Sequence, residues 1–335
     1  FFDRQVVCTS SGTSALHIAL QAIQSPNNKK NEVLVPSLTY AASYQAICGA
    51  GLIPISCDIN PKTLNICFKD MQKKMNRKTL AIMPVHYSGD PSGINKINSF
   101  AKKYKIRVVE DAAHAMGSFY KNKLVGSFGD IACFSFDGIK NITCGEGGAI
   151  VSNDAAVLAR ASDIRTLGII GDSARRTEKK RSWTFDIEEQ GYRYHMSDIN
   201  AAIGVIQLKR FPSFQIKRRL LAKNYDEIFK NSPFISTFKR NYDEVTPHIY
   251  AVKLVESNSR EELQNYLLAN GIQTGYHYFP NHLLTFFQKK GEVLPVVEGI
   301  FPDLLTLPSH VGVSKKDVKL IHEAINSFFL ERRSR

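Results

Sequence analysis

FSFDGIKNITCGEGGAI, residues 134–150, sets one lysine, Lys140, between an apolar run and a glycine-rich turn. Just upstream, Ile131-Ala132-Cys133-Phe134 reads as a buried strand. Gly145, Gly147 and Gly148 read as a tight turn into a second apolar run, Ala149-Ile150-Val151. A lysine in a loop is ordinarily a hydrated surface charge that is costly to bury. Between two such segments it lies near a sheet, where lost hydration lowers the pKa of the amine and exposes a nucleophile. The residues that the rest of the chain supplies decide between the two.

Outward from this stretch, from residue 14 to about 155, helical-period segments alternate with short apolar runs. Residues 14–24, 40–48 and 94–104 read as helices, and 32–36, 52–57, 80–85, 107–110 and 131–136 as strands. Such a series implies an α/β body with a mainly parallel sheet covered by helices, whose ligand groups stand on loops at the carboxyl ends of the strands. Residues 197–230 are helical in pattern, and Pro212, after Phe211, is expected to kink or break them. That break divides the chain into a large domain, 1–211, and a smaller C-terminal α+β domain, 212–335. In the latter, 248–254 reads as a strand, 260–269 as a helix ending at Gly271, and 314–330 as an amphipathic helix behind a serine cap.

The 335 residues, 43% of them hydrophobic, suffice for one large core and a smaller one. No apolar stretch approaches the ~18 residues needed to cross a bilayer, and no charged-then-apolar leader opens the sequence. The expected location is the cytoplasm, with no membrane partner. Six cysteines are scattered without C-x-x-C spacing, which suggests neither a zinc site nor a disulfide framework. The net charge of +13 would attract anions. Its densest clusters, RRTEKKR at 175–181 and KRR at 217–219, lack interleaved aromatics, so a solvated surface, with attraction of an anionic substrate, is preferred over nucleic acid. The chain opens on Phe1, and a preceding segment is expected.

Two further stretches bear on Lys140. SSGTSALHIAL, residues 10–20, runs from a small polar turn straight into a helix, whose first backbone N–H groups suit a phosphate, although many helices carry Ser or Thr simply as a cap. RVVEDAAHAMGS, residues 107–118, ends a strand on Glu110-Asp111, with His114 following. No further ligand stands at metal-binding spacing, so a hydrogen-bonding role is expected and no metal. A carboxylate buried there needs a cationic partner, and a protonated pyridine nitrogen would be one. An imine-forming lysine, a carboxylate for a pyridinium and a helix start for a phosphate together match what pyridoxal phosphate requires.

The ordered motifs GTSAL, PSLTYAA, PVHYSG, VEDAAHA, FSFDGIKNITCGEGG and GYRYHMSDINAA resemble the DegT/DnrJ/EryC1/StrS family of pyridoxal-phosphate-dependent sugar aminotransferases. The similarity runs from about Val7 to the C-terminal helix and echoes the branch that aminates a UDP-linked 4-keto-pentose. It implies the fold type I transferase architecture and a homodimer with shared active sites. The implied reaction moves an amino group from glutamate, released as 2-oxoglutarate, to a nucleotide-linked keto-sugar. C4 is the expected position, surface-polysaccharide or lipopolysaccharide synthesis the expected use, and pyridoxamine phosphate the intermediate cofactor form.

Carried onto this sequence, the resemblance implies that Lys140 bonds the cofactor aldehyde and then shuttles a proton, and that Asp111 pairs with the ring nitrogen. It implies Gly12, Thr13 and Ser135 for the phosphate, Ser14 as a further cofactor contact, Tyr40 stacked on the ring and His114 near its 3-hydroxyl. His277 and Tyr276, in TGYHYFPNH at 274–282, are implied substrate contacts. Arg193 stands where many members have asparagine, and is expected to serve the neighbouring subunit's cofactor phosphate. His195 stands where many have arginine, and Leu167-Gly168 replaces a common His-Gly pair. Alternatives on the same fold are amination at C3, a sugar dehydratase, whose relatives replace the lysine with histidine, and a non-catalytic regulator. A nicotinamide enzyme is set aside because no G-x-G-x-x-G turn joins strand to helix.

Overall fold

The computed structural model describes residues 1–25, 27, 29–170 and 185–334; the basic run at 175–181 lies outside them. The first strands are β1 (Gln5–Thr9), β2 (Glu32–Pro36), β3 (Ile53–Cys57), β4 (Thr79–Ile82) and β5 (Arg107–Asp111). A short hairpin, β6 (Phe119–Tyr120) and β7 (Lys123–Leu124), precedes β8 (Ile131–Ser135) and β9 (Gly148–Ser152). Apart from the hairpin these form one seven-stranded sheet in the order β1-β9-β8-β5-β4-β2-β3. Strands β3, β2, β4, β5 and β8 pair parallel, whereas β9 runs antiparallel to β8 and β1 antiparallel to β9. Every residue of β8 and β9 is buried, as expected of strands covered on both faces.

Helices α1 (Gly12–Ala22), α2 (Ala41–Gly49), α3 (Phe68–Lys74), α4 (Ile94–Tyr104) and α5 (Ala155–Ile164) cover the sheet. Helix α1 starts at a reciprocal cap: the Ser14 amide donates to Ser11 Oγ and the Ser11 amide to Ser14 Oγ. It then buries Ala15, Leu16, Ile18, Ala19 and Leu20 in the same apolar cluster as Val33, Val109, Ile131 and Ile150 of the strands.

The long helix α6 (Asp198–Phe229) corrects the expected break, because it runs through Pro212 without interruption. Proline removes one backbone donor and leaves the carbonyl a turn earlier unpaired. Pro212 faces solvent, where water can satisfy that carbonyl. Packing on either side holds the helix in line: Phe211 is 1% exposed, and Gln215 Nε2 donates to Gly117 O at 2.6 Å. Gly117 has φ +79°, and a Cβ there would lie 2.3 Å from the Phe211 ring.

Beyond α6 stand β10 (Ile235–Thr237), β11 (Tyr250–Leu254), α7 (Arg260–Ala269), α8 (Pro295–Ile300), β12 (Leu304–Leu307) and α9 (Lys315–Arg333). The strands make an antiparallel sheet, β10-β11-β12. A second apolar cluster joins it to Leu221, Tyr225 and Phe229 of α6, Leu263 and Leu267 of α7 and Ile321, Ile325 and Phe329 of α9. Helix α6 therefore contributes Phe211 to a cluster against the large sheet and its C-terminal half to this second core.

Truncating Phe211 to alanine is expected to lower the unfolding free energy by about 3–5 kcal/mol, the usual cost of emptying an aromatic core site. Urea titration followed by circular dichroism measures it. A loss under about 1 kcal/mol would show that the Phe211–Gly117 contact does not anchor the helix.

Candidate active site

The carboxyl ends of β2, β5 and β8 and the start of α1 converge on one cavity of about 520 Å³. Gly12, Thr13, Tyr40, Asp111, His114, Ser135, Lys140 and His277 all line it, so most of the residues expected from the sequence come together. Around them lie Ser11, Thr39, Asp137, Glu146 and Tyr278.

Strand β5 supplies two carboxylates with different surroundings, because successive residues of a strand face opposite sides. Glu110 is fully buried and bonded to His86 Nε2 at 2.7 Å, a pair within the fold. Asp111 reaches the cavity. Its Oδ2 accepts from Ser43 Oγ at 2.7 Å and its Oδ1 from the Ala113 amide at 3.1 Å, so both oxygens are held.

One corner of the cavity is set by a close approach. A Cβ on Gly12 would lie 2.7 Å from Ser135 Cβ, so only glycine lets the start of α1 press on the end of β8. The Ser11–Ser14 cap takes up the Ser14 side chain, which does not reach the cavity. Ser14 is thus part of the cap at the start of α1.

Lys140 stands on the connection between β8 and β9. The pairing of Ser135 with Gly148 and the bonds from the Phe136 amide to Gly147 O and the Cys144 amide to Phe136 O, both 2.8 Å, close this connection at its base. Asn141 Nδ2 ties it to Met116 O at 3.1 Å. Lys140 Nζ lies 3.4 Å from His248 Nε2. Burial lowers the lysine pKa, and the carboxylates of Asp111 and Asp137 partly oppose that.

Imidazoles crowd this amine. The His114 and His248 rings are 4.5 Å apart, and His114 Nε2 lies 2.9 Å from Tyr278 Oη. Burial drives both histidines well below the usual imidazole range, with Lys140 pushing the same way. His277 Nδ1 bonds Thr306 Oγ1 at 2.9 Å, and burial, then Lys140, brings its pKa down to about 4. Tyr40, 60% exposed, sits at the rim with its ring 5.5 Å from that of Tyr278.

Two expected residues lie elsewhere. Tyr276 does not line the cavity; its ring lies 4.6 Å from the Arg260 guanidinium and 5.4 Å from the Phe301 ring. Arg193 is exposed, bridges Thr166 through the backbone and does not line this chain's cavity. Sequence reasoning missed His248, Ser43, Asp137 and Tyr278. Ser43 directly follows the quoted PSLTYAA run and Tyr278 stands within TGYHYFPNH, but their direction depends on tertiary packing. His248 carried no local signal beyond heading a strand.

A histidine whose folded pKa is depressed makes the unfolded chain the better proton binder between the two values. His277 therefore contributes stability at neutral pH that is lost as pH falls from about 6.5 toward 4. Urea midpoints for His277→Gln are expected to fall less over that window than those of the wild type. Parallel curves for the two would remove this assignment.

Comparison with known proteins agrees with this geometry. Residues 2–326 match the DegT/DnrJ/EryC1/StrS aminotransferase family. The chain is 35% identical to GDP-perosamine synthase of Escherichia coli O157:H7 over 325 residues, covering 96% of this chain and 85% of that protein. It is 34% identical over 326 residues to UDP-4-amino-4,6-dideoxy-N-acetyl-beta-L-altrosamine transaminase of Campylobacter jejuni, covering 95% and 84%. Among solved structures, the sugar aminotransferase Spr1654 of Streptococcus pneumoniae in its PLP form superposes with a TM-score of 0.85 at 28% identity, covering 98% and 88%, and a PMP form of it is also known. The chain belongs to the DegT/DnrJ/EryC1/StrS aminotransferase family, the pyridoxal-phosphate-dependent sugar aminotransferases of fold type I.

Proposed function

We propose that this nucleotide-sugar aminotransferase moves an amino group from L-glutamate to C4 of a nucleotide-linked keto-sugar, with Lys140 and Asp111 as its working pair. The observation that carries the reading is the single cavity that both residues line, together with the glycine cradle at Gly12 and Ser135. The name of the Campylobacter relative, with its 4-amino sugar, favours C4. A net charge of +13 favours anionic substrates such as glutamate and a sugar nucleotide.

The residues present fit pyridoxal phosphate. The first turn of α1 and Ser135 offer backbone and hydroxyl donors to a phosphate, Asp111 offers a fixed carboxylate to a ring N–H⁺, and Lys140 offers a partly desolvated amine. Buried His114 Nδ1 has no hydrogen-bond partner among the described residues. The cofactor, when bound, supplies an aldehyde for the amines and a protonated ring that accepts the electron pair left by proton removal. Asp111 would hold the ring nitrogen and favour its protonated form, since an adjacent carboxylate favours a cation. Lys140 Nζ would hold the aldehyde end of the group and, as the amine in the cavity, would take and return the substrate proton. Tyr40 and Tyr278 line the cavity with their rings 5.5 Å apart.

The same reading includes a homodimer, in which Arg193 serves the partner's phosphate corner. Exposed Ile199, Ile203, Val205 and Ile206 on α6 support it, since apolar side chains in such a cluster favour cover by another surface. Location in the cytoplasm, use of the product in surface polysaccharide, and a domain division near 211/212 belong to this proposal. Among the described residues no helix is long and apolar enough to cross a membrane.

The test is spectroscopic. With pyridoxal phosphate the protein should show a visible absorption band that glutamate bleaches. Lys140→Ala should lose the band and about 10³-fold or more of turnover, and Asp111→Asn should lose about 10²-fold, as expected for positioned acid–base groups. A wild-type band indifferent to glutamate and to other amino donors would overturn the proposed donor chemistry.

A further inference from the structure

His248 stands just ahead of β11 of the second sheet, yet its ring lies beside two residues that line the cavity, 3.4 Å from Lys140 Nζ and 4.5 Å from the His114 ring. Its backbone carbonyl accepts from Arg218 Nη1 and from Ser309 Oγ, both at 3.1 Å. Arg218 is itself buried and donates also to Ser309 O at 3.1 Å. The ring is thus carried on a rigid support, whereas Lys140 hangs on a flexible four-carbon stem from a loop.

The ring's hydrogen bonds are unusual for a histidine kept only for packing. It is 5% exposed, Nε2 lies 3.4 Å from Lys140 Nζ, and Nδ1 has no partner among the described residues. A buried polar atom left unpaired costs stability, so such a ring calls for another explanation. A lysine ammonium has three hydrogens and no acceptor, so while the amine is protonated the contact uses the lone pair of Nε2 and leaves the imidazole hydrogen on Nδ1.

We propose that His248 is the positioning residue for Lys140: Nε2 accepts a hydrogen bond from the lysine amine whenever that amine is not bonded to the cofactor, and holds it aimed into the cavity. The inference rests on the reading of Lys140 as the cofactor-bonding lysine. It adds a coupling, because the second core then fixes where the first core's nucleophile points. Other charged or titratable groups around the pair are Asp111, Asp137, His114 and His277 near Lys140, and His114, His277 and Arg218 near His248. Tyr278 bonds to His114 and not to the lysine. None of these changes in the variants below.

The experiment uses the full chain carrying pyridoxamine phosphate, in which the lysine amine is free. Limited acylation followed by mass spectrometry gives the pH midpoint for labelling of Lys140. In His248→Leu that midpoint should fall by about one pH unit, the worth of one hydrogen bond to a charged group. His248→Gln, which returns an acceptor oxygen at similar reach, should restore it. A folded His248→Leu protein with the wild-type midpoint, or His248→Gln behaving like the leucine variant, overturns the inference. Should the leucine variant not fold, nitrogen-15 histidine spectra of the wild type decide: hydrogen on Nδ1 supports the contact, and hydrogen on Nε2 overturns it. The functional reading is tested separately in the wild type, where pyridoxal phosphate should protect Lys140 from acylation and pyridoxamine phosphate should not.

Discussion

Desolvation of the Lys140 amine is the constraint on which the cavity depends. An ammonium withdrawn from water is destabilised unless partners replace its hydration. Here the partners are weak: a neutral imidazole in contact, and two carboxylates, Asp111 and Asp137, that act through space. A tight ion pair would have kept the amine charged and inert. Surrounding it with imidazoles that burial itself keeps uncharged leaves a base that can gain and lose a proton.

The same economy appears in strand β5. Two adjacent acids at a strand end would repel each other on one face, but alternation separates them. Glu110 goes to the interior with His86 as its partner, and Asp111 goes to the cavity with both oxygens accepting from neutral donors. A carboxylate held by neutral donors remains available for a cation arriving with a ligand, and in the proposed reaction that cation is the pyridinium.

The two cores meet at this place. Arg218 of α6 and the segment from Pro247 into β11 fix His248, while Thr306 of β12 holds His277. The unbroken α6 links the packing of Phe211 near the large sheet to Leu221 and Tyr225 in the second core. Small adjustments of one core against the other therefore reach the lysine's surroundings directly.

By itself the sequence determined the α/β character, strands β2, β3, β4, β5 and β8, helices α1, α2 and α4, the capped starts of α1 and α9 and the candidacy of Lys140, Gly12, Thr13 and the Glu110-Asp111 pair. These follow from local rules: apolar period, cap chemistry and the ends of strands. Only tertiary structure decided that β9 returns antiparallel beside β8, that α6 survives Pro212 and that Ser14 serves a cap. It also decided that Tyr276 packs on Arg260 while His277 and Tyr278 face the cavity, and that His248 stands by the lysine. Residues distant in sequence meet only once the backbone is folded, and side-chain direction in a loop is set by whichever neighbours bury it, so no local pattern could announce those contacts.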